Sequence, residues 1–102
     1  MKHAILMDER DNVATALTDI EANEVVRIVS ATGEVVQEVK AKQPIRFGHK
    51  IALRTIRAGE DIIKYGEVIG KATQPIQVGE HVHIHNVESK RIPITTILKG
   101  EG

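Results

Sequence analysis

One local pattern occurs three times in this chain and constrains its fold more than any other feature. It is carried by Asp19-Ile20-Glu21-Ala22-Asn23-Glu24-Val25-Val26, by Thr55-Ile56-Arg57-Ala58-Gly59-Glu60-Asp61-Ile62 and by Pro75-Ile76-Gln77-Val78-Gly79-Glu80-His81-Val82. Each copy runs Ile, an apolar residue two on, Asn or Gly, Glu, then an apolar residue two beyond. Asn and Gly are the residues that tolerate a positive φ. The unit therefore reads as strand end, tight left-handed turn, strand start. The copies are separated by 36 and then 20 residues, and such unequal spacing argues against a regular solenoid. The expectation is one irregular β fold that uses the same turn three times, with Glu24, Glu60 and Glu80 shaping or solvating the turns.

The side-chain supply agrees. The chain has 102 residues, with 11 Val and 14 Ile against 4 Leu, so β-branched residues dominate its core. A chain of this length holds one small domain, read here as 1–98, with a loose tail at 99–102. There is no cysteine, which removes disulfides and thiolate metal sites. Phe47 and Tyr65 are the only aromatics and the net charge is zero, so nucleic-acid binding lacks both stacking rings and a basic surplus. The first apolar run, Ala4 to Met7, is too short for a secretory signal, and no stretch has the length of a membrane span. A cytoplasmic protein is expected.

Neutrality is a sum of two opposite halves. Residues 1–40 carry 4 basic and 8 acidic groups, and residues 41–102 carry 10 and 6. The second half is a candidate surface for an anion, although solvated faces produce such asymmetry too.

Strands are expected at His3–Met7, Asn12–Leu17, Glu24–Ser30, Glu34–Lys40, Lys50–Ile56, Val68–Thr73, Glu80–Val87 and Ile92–Leu98. Ala31-Thr32-Gly33 is expected to close a hairpin between the third and fourth. Gly48, Gly59, Gly66, Gly70 and Gly79 divide the middle into pieces too short for long helices.

The sharpest chemical feature is His81-Val82-His83-Ile84-His85-Asn86. In a strand, residues i, i+2 and i+4 share a face. Val82 and Ile84 would then enter the core, and His81, His83 and His85 would form a row spaced roughly 6.6 Å apart. Two such imidazoles can reach one divalent ion, with His49 or Glu67 as a further ligand; imidazole suits Zn, Fe, Ni or Cu, and an added carboxylate suits Fe(II) or Mn(II). The alternative is an exposed or interface-lining histidine face. His49 follows Gly48 and is a candidate acid/base or ligand. Tyr65 is a candidate for proton transfer or a packed rim residue. Arg46, Lys50, Arg54 and Lys64 are candidate anion holders or simply solvated charges. No phosphate-binding loop, dinucleotide fingerprint or nucleophile elbow is present.

Three blocks, Gly48-His49-Lys50-Ile51-Ala52-Leu53, Ile63-Lys64-Tyr65-Gly66-Glu67-Val68-Ile69-Gly70-Lys71-Ala72 and Gly79-Glu80-His81-Val82-His83-Ile84-His85-Asn86, together resemble the N-terminal SAF-type domain of the altronate dehydratase family. The likeness runs from about Asn12 to Val87. It implies a compact, all-β, β-clip fold of short bent strands. It also implies elimination of a β-substituent, water or sulfite, from a 2-hydroxy acid to give a 2-keto acid, with Fe(II) or Mn(II). Sulfolactate sulfo-lyase has such a domain as a separate small subunit. On this resemblance His49 and Tyr65 are expected to serve catalysis, Lys50, Arg54, Lys64 and Asn86 to bind the small hydroxy-acid anion, and His81, His83 and His85 to hold metal. The large domain that carries most of the family's catalytic apparatus is absent from the chain, which is then either a small subunit of a two-chain lyase or a piece of a longer protein; the expected partner is a large catalytic lyase subunit, with a homo-oligomer also open. Ile92–Leu98 is a candidate for pairing with that subunit. Two other readings compete: a stand-alone ligand-binding or interaction module, since fold does not fix function, and an independent metal-binding protein.

Overall fold

The computed structural model describes residues 1–89, which form nine strands and no helix. They are β1 (Lys2–Leu6), β2 (Val13–Ala16), β3 (Val25–Ser30), β4 (Val35–Lys40), β5 (Lys50–Ala52), β6 (Asp61–Lys64), β7 (Glu67–Ala72), β8 (His81–Val82) and β9 (Val87–Ser89). One sheet has the order β4-β3-β1-β2-β5-β8 and the other β6-β7-β9. Only β1 and β3 pair in parallel; the other neighbours are antiparallel. The all-β expectation holds. The expected strand at Ile92–Leu98 and the tail at 99–102 lie outside the described residues. No helix among the described residues is long and apolar enough to cross a membrane.

The turn pattern has four copies, not three. The fourth is Ile45-Arg46-Phe47-Gly48-His49, with His where the others have Glu. Asn23, Gly48, Gly59 and Gly79 occupy the same place in each copy, and all have positive φ, 74°, 86°, 88° and 89°. Every copy is also preceded by an alanine four residues before its isoleucine: Ala16, Ala41, Ala52 and Ala72. The copies clasp in pairs. Asn23 N donates to Ala41 O (2.7 Å) and Ala41 N to Glu24 O (2.8 Å), while Gly48 N donates to Ala16 O (2.9 Å) and Ala16 N to His49 O (2.8 Å). The second pair repeats this, with Gly59 on Ala72 and Gly79 on Ala52. Ile20 bridges Ile45 and Ile56 bridges Ile76. The alanines are 0–2% exposed, and a larger side chain there would push the clasped turns apart.

Two cores follow from the two clasps. One contains Ile20, Ile45, Ala16 and Ala41 with Val26, Ile28, Ile51 and Leu53. The other contains Ile56, Ile76, Ala52 and Ala72 with Val13, Ile62 and Val82. β2 and β5 run between them. Ala14 and Ile51 point to the first core, and Val13 and Ala52 to the second. β5 is thus covered on both faces at Ile51 and Ala52.

Asp11 and Asn12 tie the sheets together. Both are buried. The Asp11 carboxylate accepts from the backbone N–H of Asp8, Tyr65 and Gly66. The Asn12 amide donates to Asp61 O (2.8 Å) and accepts from Ile63 N (2.8 Å). Tyr65 (φ 58°) and Gly66 (φ 72°) form the two-residue link between β6 and β7. A turn with both central residues at positive φ matches the twist of a hairpin. Asp11 satisfies its two N–H groups and so holds an exposed tyrosine in a backbone region that costs about 1 kcal/mol or more.

Candidate functional site

In three of the four turns the glutamate bends back on its own loop. Glu24 Oε1 accepts from Glu21 N (2.7 Å), Glu60 Oε1 from Arg57 N and Glu80 Oε1 from Gln77 N (2.8 Å). This bears out the reading of these acids as turn-shaping. His49 offers Arg46 N no carboxylate, and its ring points elsewhere. It stacks on His83 with ring centroids 4.0 Å apart, and on His81 at 5.1 Å. His49 Nδ1 and His81 Nε2 are 2.9 Å apart, a hydrogen-bond distance at which one ring donates to the other.

The histidine segment is not the expected strand. β8 ends at Val82, and residues 83–86 turn. Val82 is buried as expected, but Ile84 is 82% exposed, a correction to its core placement. The cause is Asn86. Its Oδ1 accepts from His83 N (2.9 Å), its Nδ2 donates to His81 O (2.8 Å), and its own N–H donates to His83 O (3.1 Å). These bonds fold the chain before alternation can continue. Asn86 is buried and its amide is committed to the histidine backbone, so it orders the loop.

His49, His81 and His83 each offer a ring nitrogen, and the three lie within 4.8 Å of one another. The grouping differs from the expected row in one member: His49 enters, while His85 is exposed and tilts over His81 at 5.1 Å. No carboxylate belongs to the group among the described residues, so Glu67 is not brought in. Burial pushes the His81 imidazole down to about 4, and the nearby His85, His49 and His83 rings and Lys50 add to the shift. His83 is lowered by the same causes, burial first. Both rings are therefore neutral near pH 7, the form that has a free lone pair for a metal.

Lys50 pairs in register with Val82 across β5 and β8. It is half-buried, and burial first, then Lys64, lowers its amine from the ordinary lysine range. With His83, Ile69, Ile84, Val87 and Ser89 it lines a small cleft of about 110 Å³ beside the imidazoles. Arg54 lines a different cleft, with Asn12, Thr55 and Lys71. Tyr65 is exposed, with Lys64 Nζ 5.3 Å from its ring centroid, and it makes no stacking contact with an imidazole among the described residues. The structure thus gathers His49, Lys50, His81, His83 and His85, and sets Arg54 and Tyr65 apart.

Comparison with known proteins gives the site a family. The model of the altronate/galactarate dehydratase SAF domain matches residues 2–90. An altronate dehydratase of Bacillus subtilis is 42% identical over 89 residues, 87% of this chain and 17% of that protein. An altronate dehydratase of Escherichia coli is 40% identical over 79 residues, 78% of this chain and 15% of that one. A (2R)-sulfolactate sulfo-lyase subunit alpha of Paracoccus pantotrophus is 51% identical over 51 residues, half of this chain and 76% of the subunit. The chain spans under a fifth of the length of either altronate dehydratase. With 89 residues matched in one unbroken stretch, the chain belongs to the altronate/galactarate dehydratase SAF domain family.

Proposed function

We propose that this chain is the SAF-domain component of a cytoplasmic lyase, and that it works with a large catalytic partner. The reaction is elimination of water or sulfite from a 2-hydroxy acid. The C2–H bond breaks and its electron pair forms the C2–C3 double bond. The C3 substituent departs with its own pair, and the resulting enol returns as a 2-keto acid. The observation that carries the reading is the convergence of three imidazoles and a half-buried lysine within a domain matched over 89 residues.

The donor set fits a borderline divalent ion. Three imidazole nitrogens and no carboxylate suit Fe(II) better than Mn(II), which prefers oxygen. His49, His81 and His83 would hold the ion, which when bound would polarise the oxygens of the acid. Lys50 reaches the cleft beside His83 and holds a carboxylate there as a cation. Asn86 fixes the loop that presents His81 and His83. Tyr65 and Lys64 on the β6–β7 turn, and Arg54 in its separate cleft, serve only surfaces that the partner completes.

The test is co-expression with the large chain of the same genome that carries the rest of an altronate dehydratase. Co-purification, with 2-keto acid formed by the mixture and by neither chain alone, is the expected result. Two chains that never associate, or a large chain fully active alone, would reject the proposal. Calorimetric binding of hydroxy acids by the isolated chain without any partner would favour a stand-alone ligand-binding module instead.

A further inference from the structure

The chain has two aromatic residues, and neither is in a core. Phe47 is 66% exposed and Tyr65 59%. Ile84, at 82%, is the most exposed large apolar side chain of the described residues. Phe47 and Ile84 flank one imidazole pair in the chain. Phe47 is two residues before His49 and Ile84 is next to His83, and those two rings are stacked at 4.0 Å. Each residue sits on a turn held by hydrogen bonds. Phe47 N donates to Asp19 Oδ1 (2.8 Å), and the Ile84 turn is held by Asn86. Neither side chain is exposed because its loop lacks order.

Unpaired cations stand near the imidazoles. Arg46, Lys50 and Lys64 have no ion pair among the described residues, whereas Lys2, Arg10, Arg27 and Lys71 each have one. An apolar centre with a charged rim is the anatomy of a docking face. The altronate dehydratases supply the occupant's size: in them the matched region is joined to a polypeptide several times longer.

We infer that the Phe47–Ile84 surface beside the imidazole stack is where the large lyase chain docks, through an apolar pocket with an acidic rim that closes over the histidines. The inference rests on the two-chain reading above and adds the face, the anchors and the sign of the partner's charge. It places the metal-binding cluster at the joint between the components rather than inside either one. It also explains the absence of aromatics from both cores, because large rings are most effective as anchors in an interface.

The experiment measures affinity between this chain and the co-expressed large chain by calorimetry. F47D and I84D are compared with V36D, which places the same charge on an exposed valine of β4, the opposite edge of the sheet from β8. Losing an anchor of about 2 kcal/mol weakens binding by roughly 30-fold, so F47D and I84D should each weaken it by that much or more, with melting temperature and V36D affinity unchanged. Affinity should also fall with added salt. If the wild-type chains associate and F47D and I84D bind as well as V36D, the docking face is wrong while the two-chain reading stands. If the wild-type chains do not associate, both fail.

Discussion

Replacing His49 by Gln should make the protein more stable and abolish the proposed ion binding. In the other three turns a glutamate oxygen accepts from the N–H two residues after the isoleucine's predecessor: Glu24 from Glu21, Glu60 from Arg57, Glu80 from Gln77. A glutamine at position 49 has the reach to accept from Arg46 N in the same way. A hydrogen bond of this kind contributes about 1 kcal/mol. Meanwhile a neutral amide is a poor substitute for imidazole, and loss of a direct ligand should cost more than the 10–100-fold typical of an outer-shell partner. The checks are chemical denaturation of H49Q, with the midpoint raised, and Fe(II) titration, with affinity down by about 100-fold or more. A less stable H49Q with intact ion binding would mean that the histidine is there for the turn. A gain in both would mean that it is there for neither.

Gly79→Ala should produce the largest loss of stability of any single methyl addition in the turns. Gly79 has φ 89° and is buried. A Cβ there would lie 2.2 Å from Lys40 O. The carbonyl cannot move freely, because Lys42 N bonds Gly79 O (2.8 Å) and Gly79 N bonds Ala52 O (2.9 Å) across the same gap. The left-handed backbone costs about 1–2 kcal/mol for a residue with a Cβ. Overpacking adds about 1–3 kcal/mol. Gly48 is the matched control: it has φ 86° in the equivalent turn, and a Cβ there meets nothing within 4 Å. G48A should therefore show only the backbone cost. Because Gly79 leads through Glu80 into His81, G79A should also spoil the histidine geometry. Equal destabilisation of G48A and G79A would show that the Lys40 contact is relieved without cost.

The turns were legible in the sequence because their requirements are local. A positive φ demands Asn or Gly, and three of the four copies also kept the glutamate. The fourth was hidden by one change, His49 in the place of that glutamate. The alanine four residues before each isoleucine was a readable signal for it, since it recurs at Ala16, Ala41, Ala52 and Ala72. What the sequence hid lies in contacts between distant segments. Alternation put Ile84 in the core, but Asn86 ends the strand by bonding back to His81 and His83. Nothing local announces that β5 lies between two cores, with Ile51 in one and Ala52 in the other. The histidine cluster was half visible for the same reason. His81 and His83 are neighbours in the chain, whereas His49 reaches them only because β5 pairs with β8.

The proposed function rests on which imidazoles form the site. That is decided by anaerobic Fe(II) titration of the wild-type chain, H49A and H85A, with stoichiometry read by calorimetry. One ion per wild-type chain is expected, with unchanged stoichiometry in H85A and no measurable uptake by H49A. Uptake that survives in H49A and disappears in H85A would contradict this, and would restore the row of His81, His83 and His85 as the ligand set.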